Sequence, residues 1–158
     1  MDLHIVAVGN RMPEWVNTAY LEYSKRLGRD CRVVLHEVKP ERRAKHLTIE
    51  QIKQRERERI FAALPGDARL GVLDESGKQW TTVALADKLA AWIQDGQALA
   101  LVIGGADGLH QDVRERAQFV WSLSRLTLPH PLVRIVLIEQ IYRAWSITKN
   151  HPYHRGET

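Results

Sequence analysis

A single cysteine, Cys31, stands in a chain of 158 residues, so no internal disulfide can form, and no CxxC or other metal-type spacing surrounds it. A reducing cytoplasm fits that usage. No apolar run is long enough to span a bilayer. The sequence opens on Asp2 and the short apolar patch Leu3 to Val8, without a basic leader, a long apolar region or a small-residue cleavage site. A soluble, untargeted protein with no membrane partner is expected. Repeats, low-complexity tracts and linkers are also missing, and the length suits one domain, residues 1–158, with a single sizeable core.

The charge that is present is concentrated. Net charge is +4, and residues 39–59 hold eight Lys or Arg against four Glu, enough to account for the whole excess. Such a segment creates a local field that attracts phosphate backbones. The same residues also suit a solvated helix face, since Glu50 with Lys53, or Glu56 with Arg59, can pair within a turn.

Strand and helix patterns alternate along the chain. Strands are expected at Leu3 to Val8, Arg32 to Val38, Arg69 to Leu73, Ala98 to Ile103 and Phe119 to Ser122. Pro13 opens a helix reaching about Leu27, with Trp15, Ala19, Tyr20, Tyr23 and Leu27 inward. Thr48 with Gln51 forms a capping-box signal for a charged helix from Ile49 to Leu64. A turn from Asp74 to Lys78 leads to a helix over Thr82 to Gln94, and a short helix covers Gln111 to Ala117. Ala98 to Ile103 is apolar without interruption, as in a parallel strand covered on both faces. The alternation predicts an α/β fold, a parallel-type sheet layered between helices. Ligands bind such sheets beyond the carboxyl ends of the strands, where Leu73 onward, Gly104 to Gly108 and Ser122 to Pro131 converge.

Those loops differ in information. The GGADG turn at 104–108 lets a ligand or a tight turn approach the backbone, yet it is neither GxGxxG nor a P-loop. The loop Leu123 to Pro131 combines Leu123, Leu126 and Leu128 with the hydroxyls of Ser124 and Thr127 and with free backbone groups suited to an adenine or a carboxylate. Pro131 fits the first position of a final helix that is apolar over most of its circumference, which a second subunit would explain. Its polar strip contains Glu139 and Arg143, four apart and able to pair. The tail Asn150 to Arg155 offers stacking, proton transfer and phosphate contacts within a few residues. His151 and His154 lack a third ligand nearby and Pro152 breaks their face, so no metal is expected. A mobile arm carrying Tyr153, His154 and Arg155 would suit an unstacked RNA base.

The motifs AVG at 7–9, EYSKRL at 22–27, LDESGK at 73–78, LVIGGADG at 101–108, WSLSRLTLPHPLVR at 121–134 and YRAWSITKNHPYHR at 142–155 resemble those of the RlmH-type methyltransferases. These SPOUT-class enzymes methylate N3 of a pseudouridine in 23S ribosomal RNA. The resemblance covers essentially the whole chain, and its last two motifs are long and specific. Ala106 departs from a common proline, and Gly156-Glu157-Thr158 runs past the usual end. The resemblance implies a C-terminal trefoil knot, a homodimer with its active sites at the subunit interface, and action on the large subunit or the assembled ribosome. It also implies S-adenosylmethionine at Leu73, Gly104 and the loop Leu123, Ser124, Arg125, Leu126, Thr127 and Leu128.

Methylating N3 requires loss of an imide proton and stabilisation of the developing anion. From residue chemistry, Glu139, His154 or water are the candidate proton acceptors, with Arg143, Tyr153, His154 and Arg155 as substrate contacts. Metal is not required. The alternative expectation is a catalytically idle ribosome or RNA binder of the same fold.

Overall fold

The computed structural model describes residues 1–155, so Gly156-Glu157-Thr158 lies outside the described residues. Strands β1 (Asp2–Val8), β2 (Arg32–Val38), β3 (Arg69–Gln79), β4 (Leu99–Ile103) and β5 (Phe119–Ser122) form one sheet in the order β2-β1-β4-β3-β5. Every neighbouring pair is parallel. Between and after the strands come α1 (Glu14–Ser24), α2 (Ile49–Ala63), α3 (Thr82–Asp95), α4 (Gln111–Arg116), α5 (His130–Thr148) and a 3-10 turn at Pro152–Arg155. Among the described residues no helix is long and apolar enough to cross a membrane.

The pleat divides the core in two. Leu3, Ile5, Leu99, Leu101 and Ile103 face the layer of α1, α3 and α5, while Val6, Val8, Ala100, Val102 and Val72 face α2 and α4. With helices on both faces, β4 buries all five of its residues, which is why it reads as an unbroken apolar run. Local signals set the helix ends. Thr48 and Gln51 form the expected capping box of α2. The Thr81 side chain accepts from the Ala84 amide to start α3, and Gly96 ends it in the left-handed region at φ 79°.

Several expectations are corrected. Helix α1 stops at Ser24, and Trp15 is 56% exposed while its neighbour Val16 is fully buried. Adjacent helical residues point about 100° apart, so the buried line passes through Val16 and Tyr20 and leaves Trp15 outside. Strand β3 does not end at Leu73. It pairs with β5 up to Leu73↔Trp121 and resumes at Lys78↔Trp121, with residues 74–77 bulging from the ladder. The Asp74 carboxylate accepts from the Ser76 amide at 2.9 Å, so turn-forming residues make a bulge here and not a strand end.

The remaining corrections concern the C-terminal region. Helix α5 begins at His130 with Pro129 as its cap, which puts Pro131 second in the helix. That position tolerates proline because the first amides of a helix have no internal acceptor. Helix α5 packs mainly on α3 and α1, so much of its apolar circumference is covered within the chain. Leu137, Ile138 and Ile141 are buried there, each side chain contributing about 1.5–3 kcal/mol of transfer free energy. Leu132 stays exposed and Ile135 and Val136 half-exposed on the outer side. The tail is not a free arm, because its 3-10 turn is docked on α5.

Candidate active site

Beyond the carboxyl ends of the central strands lies a cavity of about 1050 Å³ with mainly apolar walls. The three loops expected to converge do so. Leu73 closes one side, Gly104 to Leu109 another, and Leu123, Ser124, Leu126, Thr127 and Leu128 the third. The last loop is shaped by its own hydroxyls. Ser122 Oγ donates to the Ser124 carbonyl at 2.8 Å, and the Leu126 amide donates to Ser124 Oγ at 2.9 Å, local bonds that hold backbone outside regular structure. Thr127 Oγ1 donates to Glu75 Oε2 at 2.9 Å and ties the loop to the β3 bulge. Leu123 and Leu128 are half-buried, whereas Leu126 is 75% exposed.

Gly104 is required by space. A Cβ there would meet Leu109 Cγ at 2.8 Å, so the strand exit and the following turn touch backbone to side chain. Asp74, on the cavity wall, keeps its charge. Burial opposes ionisation, but hydrogen bonds from Ser76 and the Arg114 guanidinium hold its carboxyl below the ordinary range.

Not every expected residue lies in this cavity. Arg125 lines a separate polar cleft with Ser76, Lys78 and Gln79. Glu139, Arg143, Tyr153, His154 and Arg155 are not part of the cavity wall. Glu139 follows Val133, the last lining residue of α5, by six residues, roughly 9 Å of helix rise. These tail-side residues form their own cluster. Arg143 reaches Glu139 Oε1 with Nε at 2.9 Å and Nη2 at 2.7 Å, and the Tyr153 hydroxyl donates to the same oxygen at 3.1 Å. Gln140 Nε2 donates to the other oxygen at 2.8 Å. The Tyr153 ring lies 4.6 Å from that of Tyr142, with the Arg143 guanidinium 4.9 Å above it. Burial and the Glu139 carboxylate push the Tyr153 hydroxyl up to about 12, so it stays a donor. His154 Nδ1 is buried with no hydrogen-bond partner among the described residues.

His130, Arg134 and Gly9 are residues of the site that sequence reasoning missed. Arg134 is 0% exposed and sends Nη1 to Glu37 Oε2 at 2.8 Å and Nη2 to the Gly9 carbonyl at 3.1 Å. His130, a cavity wall residue, meets the Gly104 carbonyl through Nδ1 at 3.0 Å. The available signal was an arginine set between Val133 and Ile135 in an otherwise apolar helix, four residues after a histidine.

A family model described as "Predicted SPOUT methyltransferase" matches residues 1–154. The chain belongs to the SPOUT methyltransferase family. Its relatives span its whole length. It is 55% identical over 156 residues to the ribosomal RNA large subunit methyltransferase H of Burkholderia thailandensis, covering 99% of this chain and 100% of that protein. To the proteins of the same name in Paraburkholderia phymatum and Paraburkholderia xenovorans it is 52% and 53% identical over 155 residues, 98% of this chain and 99% of each relative. A SPOUT methyltransferase needs a methyl donor, and the loop-lined cavity has the volume and the apolar walls to hold one.

Proposed function

We propose that this chain, as a single domain over residues 1–158, methylates N3 of a pseudouridine in 23S ribosomal RNA, using S-adenosylmethionine as donor. The observation that carries this reading is the cavity where Leu73, Gly104 and the 123–128 loop meet, in a chain matching the named methyltransferases from end to end. Bound there, the donor supplies an electrophilic methyl group. The 123–128 backbone and the apolar walls of Leu73, Leu123 and Leu128 would hold its adenine and exclude water. Asp74, kept ionised, suits the cationic end of such a molecule.

The protein's further task is to place N3 and remove its proton. His154, whose Nδ1 has no partner among the described residues, is the better proton acceptor. Glu139 is engaged on both oxygens and serves to fix Arg143 and Tyr153. Arg143 and Arg155 would stabilise the anion that develops on the base.

The separation of this cluster from the cavity supports a homodimer in which each tail completes the partner's site. Leu132, Ile135 and Val136, left partly exposed on α5, supply apolar surface for that contact. The return of the chain from edge strand β5 to α5, whose Arg134 reaches the end of β1, supports the family's trefoil knot. The working place would be the cytoplasm, on the large subunit or the assembled ribosome.

The basic segment would receive RNA. Two of its four acids face inward, where Glu41 pairs with Arg55 and Arg59, and buried Glu56 accepts from the Glu41 amide at 3.0 Å. Arg43 pairs with Asp107 of the glycine loop, which brings the segment to the cavity rim where Pro40 lies. Lys39, Arg42 and Lys45 stay exposed and make no ion pair with any described residue. Changing all three to Gln is expected to leave donor affinity unchanged and to weaken ribosome binding. The slope of log K against log salt should become shallower by about 0.7–0.9 for each phosphate no longer neutralised. An unchanged slope would mean that this rim does not touch RNA.

Two assays test the whole reading: calorimetry with S-adenosylmethionine, and methyl transfer to ribosomes lacking the modification. Binding followed by one methyl group per ribosome is expected. Ribosome binding with failure of both would leave an idle binder of the same fold.

A further inference from the structure

The hydrogen bonds around His130 admit only one form of its ring. The Gly104 carbonyl can only accept, so Nδ1, 3.0 Å away, must carry a hydrogen. Arginine nitrogens can only donate, so Nε2, 3.3 Å from Arg134 Nη2, must present its lone pair. The ring is therefore neutral and protonated on Nδ1. An imidazolium would turn a second N–H against the guanidinium and set two cations in contact.

Both ends of the chain of bonds lie in the cavity wall. His130 and Val133 line it from α5, and Gly104, bonded directly to His130, lines it from the start of the glycine loop. Behind the ring, Arg134 is anchored to Glu37 at the end of β2 and to the Gly9 carbonyl after β1. Gly9 has φ +151°, and a Cβ there would lie 3.6 Å from His130 Nε2 and 2.7 Å from the Met12 methyl. The ring is thus wedged between a fixed guanidinium and the carbonyl of the pocket glycine.

We propose that His130 is a positioning residue, a proton-sensitive latch whose neutral Nδ1–H form holds the two walls of the donor pocket at their binding distance. This rests on the reading that the cavity takes S-adenosylmethionine.

The charged groups facing the ring are Arg134 on its own helix and Glu37 from β2; the loops after β1 and β4 meet it with the Gly9 backbone and the Gly104 carbonyl. Burial is the largest influence and lowers the affinity of the ring for a proton below the ordinary 6.5; the Gly104 carbonyl comes next and raises it, Arg134 lowers it, and Glu37 raises it least. With a depressed value, the latch is closed throughout the neutral range. It opens only as pH falls through that lowered value.

The test compares wild type, His130→Asn and His130→Ala by calorimetry with S-adenosylmethionine between about pH 5 and pH 7.5, where the ligand's α-amino group, titrating at roughly 7.7–8.0, stays mostly protonated. Asparagine places an N–H near the Nδ1 position and cannot take up a proton. Wild type is expected to bind with constant affinity at neutral pH, weakening toward tenfold per unit once pH is below the ring's value. His130→Asn should bind nearly as well at pH 7.5 with no acid decline. His130→Ala should bind about tenfold more weakly, as the loss of one buried hydrogen bond implies, also without the decline. An acid decline that persists in His130→Asn, or unchanged binding in His130→Ala, would overturn the latch.

Nitrogen NMR of the ligand-free protein separates the two readings. A hydrogen on Nδ1 and a lowered proton affinity support the latch even if S-adenosylmethionine fails to bind, in which case the assigned donor is wrong. A hydrogen on Nε2, or an ordinary titration, removes the latch whatever binds.

Discussion

A heterodimer of one His154→Ala subunit and one Gly104→Val subunit should regain about half of wild-type methyl transfer, although either homodimer alone is nearly silent. The first subunit keeps a sound pocket and loses the side chain proposed as proton acceptor, an expected loss of roughly 10²–10⁴-fold. The second keeps its tail and loses the pocket, because a side chain at Gly104 meets Leu109 Cγ at 2.8 Å and the Gly108 backbone at 3.2 Å. If each tail serves the partner's pocket, the mixed dimer contains one site with both parts intact. If each serves its own, both sites stay defective and the mixture is as silent as its parents. The distance of Glu139 and Arg143 from the lining residues of α5 favours the first outcome. Single-turnover methylation by purified tagged heterodimers, with circular dichroism confirming folded variants, decides between them.

Replacing Arg134 with leucine should lower unfolding free energy by about 3 kcal/mol, the low end for breaking a buried ion pair, because Glu37 retains access to water. For a chain of this size the melting temperature would fall by roughly 6–12 °C. The substitution removes the partners of Glu37, of the Gly9 carbonyl and of His130 at once. Arg134 Nε has no partner among the described residues, and leucine removes that buried unpaired donor, which also keeps the loss at the low end. Thermal unfolding of the two proteins at neutral pH measures it directly. A shift under about 2 °C would mean that the guanidinium contributes little beyond filling space.

The parallel α/β alternation was legible because its signals are local. Thr48 and Gln51 cap their helix in isolation, Gly96 can only end one, and the run LALVI announces a strand covered on both faces. The cavity loops were legible for a related reason, since a parallel sheet gathers them at one end. Leu73, Gly104 and the apolar members of the 123–128 loop fall where that rule puts them, while Arg125, in the same loop, belongs to the neighbouring cleft. Neighbouring residues in an irregular loop share no periodicity from which direction can be read. The bulge at 74–77 was read as a turn because its residues are turn formers, and only the pairing of Lys78 with Trp121 carries the strand past it.

The sequence by itself determined the layered fold, the loops that meet at the strand ends, and, through six motifs, the methyltransferase family. Tertiary structure decided which charges are spent and which are free. Arg55, Arg59 and Arg43 are consumed by acids inside the basic segment or on the glycine loop, and Arg134 finds its acceptor on Gly9, 125 residues away. The folded tail likewise turned Tyr153 from a free stacking ring into a donor to Glu139. Periodicity, caps and turns act within a few residues and can be read along a line, whereas the partner of a long polar side chain depends on which distant segments the fold brings within about 3 Å.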